Sequence, residues 1–140
     1  MRAYFTRAYK ISASHRLHTE ALSEEANRAT FGKCNNPYGH GHNYRIEVTV
    51  GGEVSRETGM VINMADLDAV VRKRVLERFD HANLNLDPLF GDPLFANLVP
   101  TTENLSITIF DLLSKALRPA ELEKVRIEET ENNFFEYSGV

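Results

Sequence analysis

His40-Gly41-His42 is the arrangement in this sequence best suited to gripping a metal ion. In an extended chain, residues two apart project from the same face, about 6.6 Å apart along the strand. Two imidazoles placed so can lean onto one cation, and the glycine between them leaves room for close backbone approach. His15 ends a stretch whose Ile11 and Ala13 share its parity. If that strand pairs with the one carrying His40 and His42, a three-histidine site results. Three protein ligands and one open position are the pattern of catalytic zinc, whereas structural sites close with four ligands and favour cysteine. The competing reading, ordinary surface or core histidines, is not excluded by a lone His-x-His.

Other residues could join such a site. Cys34 lies six residues before His40. It reads equally as a base or nucleophile beside a metal and as a small buried hydrophobe, with a fourth ligand as a third reading. Asp80-His81 offers an aspartate that can orient an imidazole, although adjacent side chains often diverge and a solvated helix end accounts for the pair as well. Glu129 has the parity of Val125 and Ile127, where a carboxylate is costly unless paired. It suits a ligand with adjacent N–H donors, or else turns to water at the strand end. Thr101, Thr102 and Glu103 read first as helix-start chemistry, and His18 as a surface residue.

Regular elements are needed to position these groups. Ala3, Phe5, Tyr9, Ile11 and Ala13 alternate as a first strand. Leu22 to Thr30 can form a short helix with Ser23 as cap. Tyr44, Ile46, Val48 and Val50 alternate with Arg45, Glu47 and Thr49 as a half-buried strand that Gly51-Gly52 is expected to end. Asn63 caps a helix running to about Phe79, with Leu67, Val70, Val71, Val75 and Phe79 inward. A loop from about 83 to 100 leads to a helix capped by Thr101 or Thr102, with Leu105, Ile109, Leu112, Ala116 and Leu117 inward. Val125, Ile127 and Glu129 share a parity, Asn132-Asn133 offers a turn, and Phe135 and Tyr137 continue a last strand. The order ββααββ implies an antiparallel α+β domain over residues 1–140.

Composition sets the bounds. The 140 residues are 42% hydrophobic and 26% charged, with a net charge of −4, which argues against a nucleic-acid or anionic-membrane surface but leaves room for a local basic pocket. One cysteine forms no intrachain disulfide, and the N-terminus has no apolar core of a signal peptide. No apolar run approaches the ~20 residues of a membrane span. A cytoplasmic setting is the expectation.

Six segments together resemble the 6-pyruvoyl-tetrahydropterin synthase family: SASHRL (12–17), FGKCNNPYGHGHNY (31–44), TGMVIN (58–63), DHANLN (80–85), TTEN (101–104) and EETENN (128–133). They run in the family's order and span nearly the whole chain. The resemblance implies that His15, His40 and His42 are zinc ligands and that Cys34, Asp80 and His81 are catalytic. It further implies that Glu129 anchors a pterin ring, with Thr101, Thr102 and Glu103 as supporting contacts. It implies a four-stranded antiparallel sheet with two helices on one face, of the tunnelling-fold type. Three subunits would close a barrel and two trimers a homohexamer, with active sites between subunits, so that Asp80-His81 serves a neighbour's zinc and cysteine. The implied activity is that of a carbon–oxygen lyase. It converts 7,8-dihydroneopterin triphosphate to 6-pyruvoyl-tetrahydropterin, eliminating triphosphate, in tetrahydrobiopterin biosynthesis.

Two alternatives share the fold: the 6-carboxy-tetrahydropterin synthases of queuosine biosynthesis, and a non-catalytic zinc- or pterin-binding protein. The carboxy enzymes typically have three residues between the cysteine and the first histidine of His-Gly-His, and here there are five, Asn35 to Gly39. The sequence departs from the family's pattern at Tyr38, where a small polar residue is frequent, at Phe79 in place of leucine, and in a longer loop before Thr101.

Overall fold

The computed structural model describes residues 1–91, 98–117 and 121–139. Its frame is a pair of long antiparallel strands, β1 (Arg2–His15) and β2 (His40–Glu53), in register from Arg2 opposite Glu53 to His15 opposite His40. β2 runs through Gly51-Gly52 instead of ending there. A two-residue strand, β3 (Ala82–Asn83), lies parallel to β1 at Ala13 and Ser14. β4 (Glu121–Thr130) pairs antiparallel with β2, and β5 (Asn133–Tyr137) with β4. The sheet therefore has five strands in the order β3-β1-β2-β4-β5, not the expected four, and within one chain it stays open. β3 is too short to show any periodicity in sequence.

α1 (Glu24–Phe31) begins where Ser23 Oγ accepts the Ala26 N–H. α2 (Met64–Val71) is capped by the Asn63 side chain, which accepts from Ala65 and Asp66; such a cap contributes about 1 kcal/mol. α2 continues through a wide π turn at Arg72–Leu76 and closes with Glu77–Phe79. Leu67, Val71, Val75 and Phe79 are all fully buried. Their strict four-residue steps overshoot a 3.6-residue period, and the wide turn absorbs the drift. α3 (Thr102–Ser114) buries Leu105, Ile109 and Leu113. Leu112 and Ala116, expected inward, are only partly buried, and Leu113 takes the core position.

α2 and α3 cover one face of the sheet, where Ile11, Tyr44, Ile46, Val48, Val50, Val125 and Ile127 join them in a single apolar cluster. The other face carries polar pairs, including Arg126 with Glu47 and Glu128, and Thr6 with Thr49. Part of the loop before Thr101, residues 92–97, lies outside the described residues. Among the described residues no helix is long and apolar enough to cross a membrane.

Candidate active site

The β1–β2 register brings the three histidines to one end of the sheet, with the inward parity of Ile11, Ala13 and Tyr44. Ring centroids lie 4.6 Å apart for His15 and His40, 5.1 Å for His15 and His42, and 4.8 Å for His40 and His42. One nitrogen from each ring lies within 4.8 Å of the others, and the group could hold a metal ion. Cys34 is not part of that group.

The hydrogen bonds favour the same use. His15 is 2% exposed, and its Nδ1 lies 2.7 Å from the Pro100 carbonyl oxygen. A carbonyl only accepts, so Nδ1 carries the proton and the Nε2 lone pair faces the cluster, 3.0 Å from His40 Nε2. His42 Nε2 is buried with no hydrogen-bond partner among the described residues. An orphaned buried nitrogen is costly, and a cation would supply the missing partner. Burial lowers the pKa of both His15 and His42 below the ordinary 6.5, which keeps the rings in the neutral form that ligates metals.

That shift has a consequence for the metal-free protein. The folded form binds protons on His15 and His42 less readily than the unfolded chain does. Stability is therefore full above pH 6.5, the unfolded value, and falls as the pH drops below it. Thermal unfolding of metal-free protein between pH 8 and 5 is expected to show a melting temperature that declines below pH 6.5. A flat or rising profile would contradict neutral burial of the two rings.

Gly39 sets the approach of β2 to β1. Its φ is +74°, and a Cβ there would lie 2.9 Å from the His15 carbonyl oxygen. The close approach expected at Gly41 is found here instead, since a Cβ at Gly41 would meet Ala13 O at an ordinary 3.6 Å. Gly39→Ala combines a left-handed backbone with a clash against the main chain of a candidate ligand. It is expected to cost about 1–3 kcal/mol and to weaken metal affinity at least about tenfold, measured by competition with a chromogenic chelator. Unchanged affinity would remove Gly39 from the construction of the site.

Cys34 sits in a half-exposed turn, Gly32–Asn35, strapped to the segment that follows His15. Leu17 N donates to the Cys34 carbonyl at 2.9 Å, and Asn35 Nδ2 donates to the Leu17 carbonyl at 2.8 Å. Glu129 is half-buried beside the histidines, with Oε1 3.8 Å from His42 Nε2. Its other oxygen accepts from the Thr102 hydroxyl. Thr102 is thus a buried partner of the carboxylate, while Thr101 is the helix cap, accepting from Asn104 N at 3.2 Å. Glu103 is exposed in the first turn of α3.

Asp80 and His81 close on β1 from its edge. Asp80 Oδ1 accepts from Ser12 N at 2.8 Å, while His81 N donates to the Ser12 carbonyl at 2.5 Å. The backbone bond from Ser12 holds the Asp80 carboxyl below its usual range. Asp80 Oδ1 and His81 Nδ1 are 3.2 Å apart, so these adjacent side chains do meet. His81 has φ +62° and a side chain 82% exposed. It opens on a cavity of about 500 Å³ lined by Ser12, Ser14 and Asn43, of outward parity, and also by Ala13 and the candidate ligand His42. Within one chain His81 is not part of the three-histidine group, although it shares this cavity with His42.

Two participants went unread in the sequence. Tyr44, 1% exposed, has its hydroxyl 3.4 Å from His15 Nδ1, and burial pushes its pKa up. Its inward parity two residues after His42 was the available signal. The Pro100 carbonyl is a backbone atom and leaves none. His18, expected at the surface, is half-buried, 3.2 Å from Asn35 and 3.3 Å from the exposed Glu20.

A family model described as 6-pyruvoyl tetrahydropterin synthase matches residues 4–140. The 6-pyruvoyl tetrahydrobiopterin synthase of Homo sapiens is 47% identical over 137 residues, covering 98% of this chain and 92% of that protein. A 6-carboxy-5,6,7,8-tetrahydropterin synthase of Haemophilus influenzae is 30% identical over 122 residues, covering 76% of this chain and 84% of that protein. The solved structure of Caenorhabditis elegans 6-pyruvoyl tetrahydropterin synthase superposes with a TM-score of 0.92 at 42% identity, covering 100% of this chain and 97% of that one.

Proposed function

The chain belongs to the 6-pyruvoyl tetrahydropterin synthase family, and on that premise we propose that it is a zinc-dependent lyase converting 7,8-dihydroneopterin triphosphate to 6-pyruvoyl-tetrahydropterin with loss of triphosphate. The observation that carries the reading is the convergence of His15, His40 and His42 around the orphaned His42 Nε2. Three imidazoles without a cysteine are the donor set of a catalytic zinc with an open position. Zinc bound there would polarise the substrate's side-chain oxygens and acidify the neighbouring C–H bonds.

The chain's own groups divide the remaining work. Glu129, fixed by the Thr102 hydroxyl, accepts the N–H donors of the pterin ring and so sets where the side chain falls. Thr101 and Glu103, at the start of α3, support that contact. Cys34 moves protons along the side chain: the carbon next to the ring becomes a ketone as the ring C=N bond takes up its electron pair, and the next becomes a ketone through the enol left when triphosphate departs, so no external oxidant is needed. Asp80 orients His81, which relays protons from the other side. The exposed His81 favours service to a neighbouring subunit's site. The free outer edges of β5 and of the Arg2–Ile11 stretch of β1 favour a trimeric barrel and a homohexamer, since uncovered edges are a liability.

The human and worm relatives support the pyruvoyl reaction over the carboxy reaction, because identity to them exceeds that to the Haemophilus influenzae carboxy enzyme. Zinc dependence is tested by following triphosphate release from dihydroneopterin triphosphate before and after stripping metal with a chelator. Turnover should vanish and return with zinc, and full turnover by stripped protein would contradict the reading.

A further inference from the structure

We propose that the cavity beneath the Cys34 turn is a polyphosphate site, in which Arg16, Arg28 and Lys33 take the substrate's triphosphate. The inference rests on the reaction proposed above and adds to it the residues that bind the leaving group. The cavity, about 540 Å³, is lined by those three cations together with His18, Asn35 and the single carboxylate Glu24. It concentrates positive charge in a chain whose net charge is −4. Elsewhere Arg2, Arg7, Arg45, Arg78 and Arg126 each bind a carboxylate. Among the described residues Arg16, Arg28 and Lys33 have no such partner, which leaves their charge available to an outside anion.

Position supports a role in the reaction. Arg16 directly follows the candidate ligand His15, and Lys33 and Asn35 flank Cys34. Arg16 Nε donates to the Asn35 carbonyl at 3.1 Å, which fixes the guanidinium stem while its terminal nitrogens stay free to donate. Asn85 holds the Arg16 backbone from the other side, accepting from N at 2.7 Å and donating to O at 2.9 Å. A planar guanidinium fork and a lysine ammonium are the donors that grip phosphate oxygens. A triphosphate carries several negative charges along a chain, and three cations spaced around one cavity match it better than a single phosphate. Bound there it would be held against the turn that carries Cys34, with the charge of the departing anion neutralised as the carbon–oxygen bond breaks.

The test uses inorganic triphosphate as probe and the zinc-loaded protein. Wild-type protein should bind it in calorimetric titration, and it should inhibit competitively against dihydroneopterin triphosphate. Arg28→Ala with Lys33→Ala removes two exposed cations and should weaken probe binding and lower kcat/KM at least about tenfold each, with metal content unchanged. Two charged hydrogen bonds lost from a phosphate are worth at least that factor. Arg56→Ala with Lys73→Ala removes the same charge from exposed sites elsewhere and should leave binding and turnover within twofold. Absence of probe binding, equal affinity in the two double variants, or non-competitive inhibition by the probe would each overturn the proposal. Turnover of dihydroneopterin triphosphate by the wild type is read separately and decides only the reaction, so failure of one claim is distinguishable from failure of the other.

Discussion

Cys34→Ala and His81→Ala proteins, each expected to be nearly inactive, should recover turnover when they are dissociated together and reassembled. Loss of a positioned acid or base costs on the order of a hundredfold or more, so each variant alone is close to dead. The expectation of rescue follows from where the groups lie. Cys34 is strapped to the chain just after His15. His81 stands 82% exposed at the edge of β1, its backbone bonded to Ser12. If each site takes Cys34 from one subunit and His81 from its neighbour, mixed oligomers contain some interfaces with both groups intact. If both came from one chain, every site would lack one of them. Native mass spectrometry should first verify that mixed oligomers formed; given that, zero rescue would contradict the shared site and leave the histidine cluster untouched.

The second large effect concerns the metal. His42→Ala should abolish stoichiometric zinc binding and reduce turnover to background, and His40→Ala should do the same. Either change leaves two imidazoles, and His42→Ala also removes a buried nitrogen that has no hydrogen-bond partner among the described residues. His15→Ala is expected to behave likewise but to destabilise the fold as well. That ring is 2% exposed and holds the Pro100 carbonyl at 2.7 Å, so its loss leaves a buried acceptor unpaired. Cys34→Ala provides the contrast: it should keep about one zinc per chain while losing most turnover. Elemental analysis on folded protein separates these outcomes. Zinc retained in His42→Ala would remove that residue from the ligand set, and zinc lost in Cys34→Ala would add the thiol to it.

Much of this geometry was legible because strand parity is a strict code. His15, Ala13 and Ile11 share one side of β1, and His42 and Tyr44 one side of β2, so a single pairing register aligns the imidazoles. Asn63 was readable as a cap because a short polar side chain before an apolar helical pattern has few other uses, whereas Thr101 and Thr102 were equally eligible and the fold selects Thr101. Other features had no local signature. The Ala82–Asn83 strand depends on its neighbour β1 for its existence, and two residues cannot show a period. The choice of Leu113 over Leu112 for the core is set by how α3 rotates against the sheet, which tertiary packing decides. Gly41 looked like the tight spot because it lies between the histidines, yet the left-handed turn just before β2 puts the contact at Gly39. The Glu129 carboxylate was recognisable as misplaced among apolar neighbours, and its partner Thr102 became visible only once α3 was packed against β4.

The central claim is that the three-histidine site carries a pterin lyase, and the most direct measurement is the mass of its product. Zinc-loaded protein incubated with 7,8-dihydroneopterin triphosphate should release inorganic triphosphate and yield a pterin with the mass of 6-pyruvoyl-tetrahydropterin, with no such product from His42→Ala. Recovery of unchanged substrate from the zinc-loaded wild type, or of 6-carboxy-tetrahydropterin as the sole product, would contradict it.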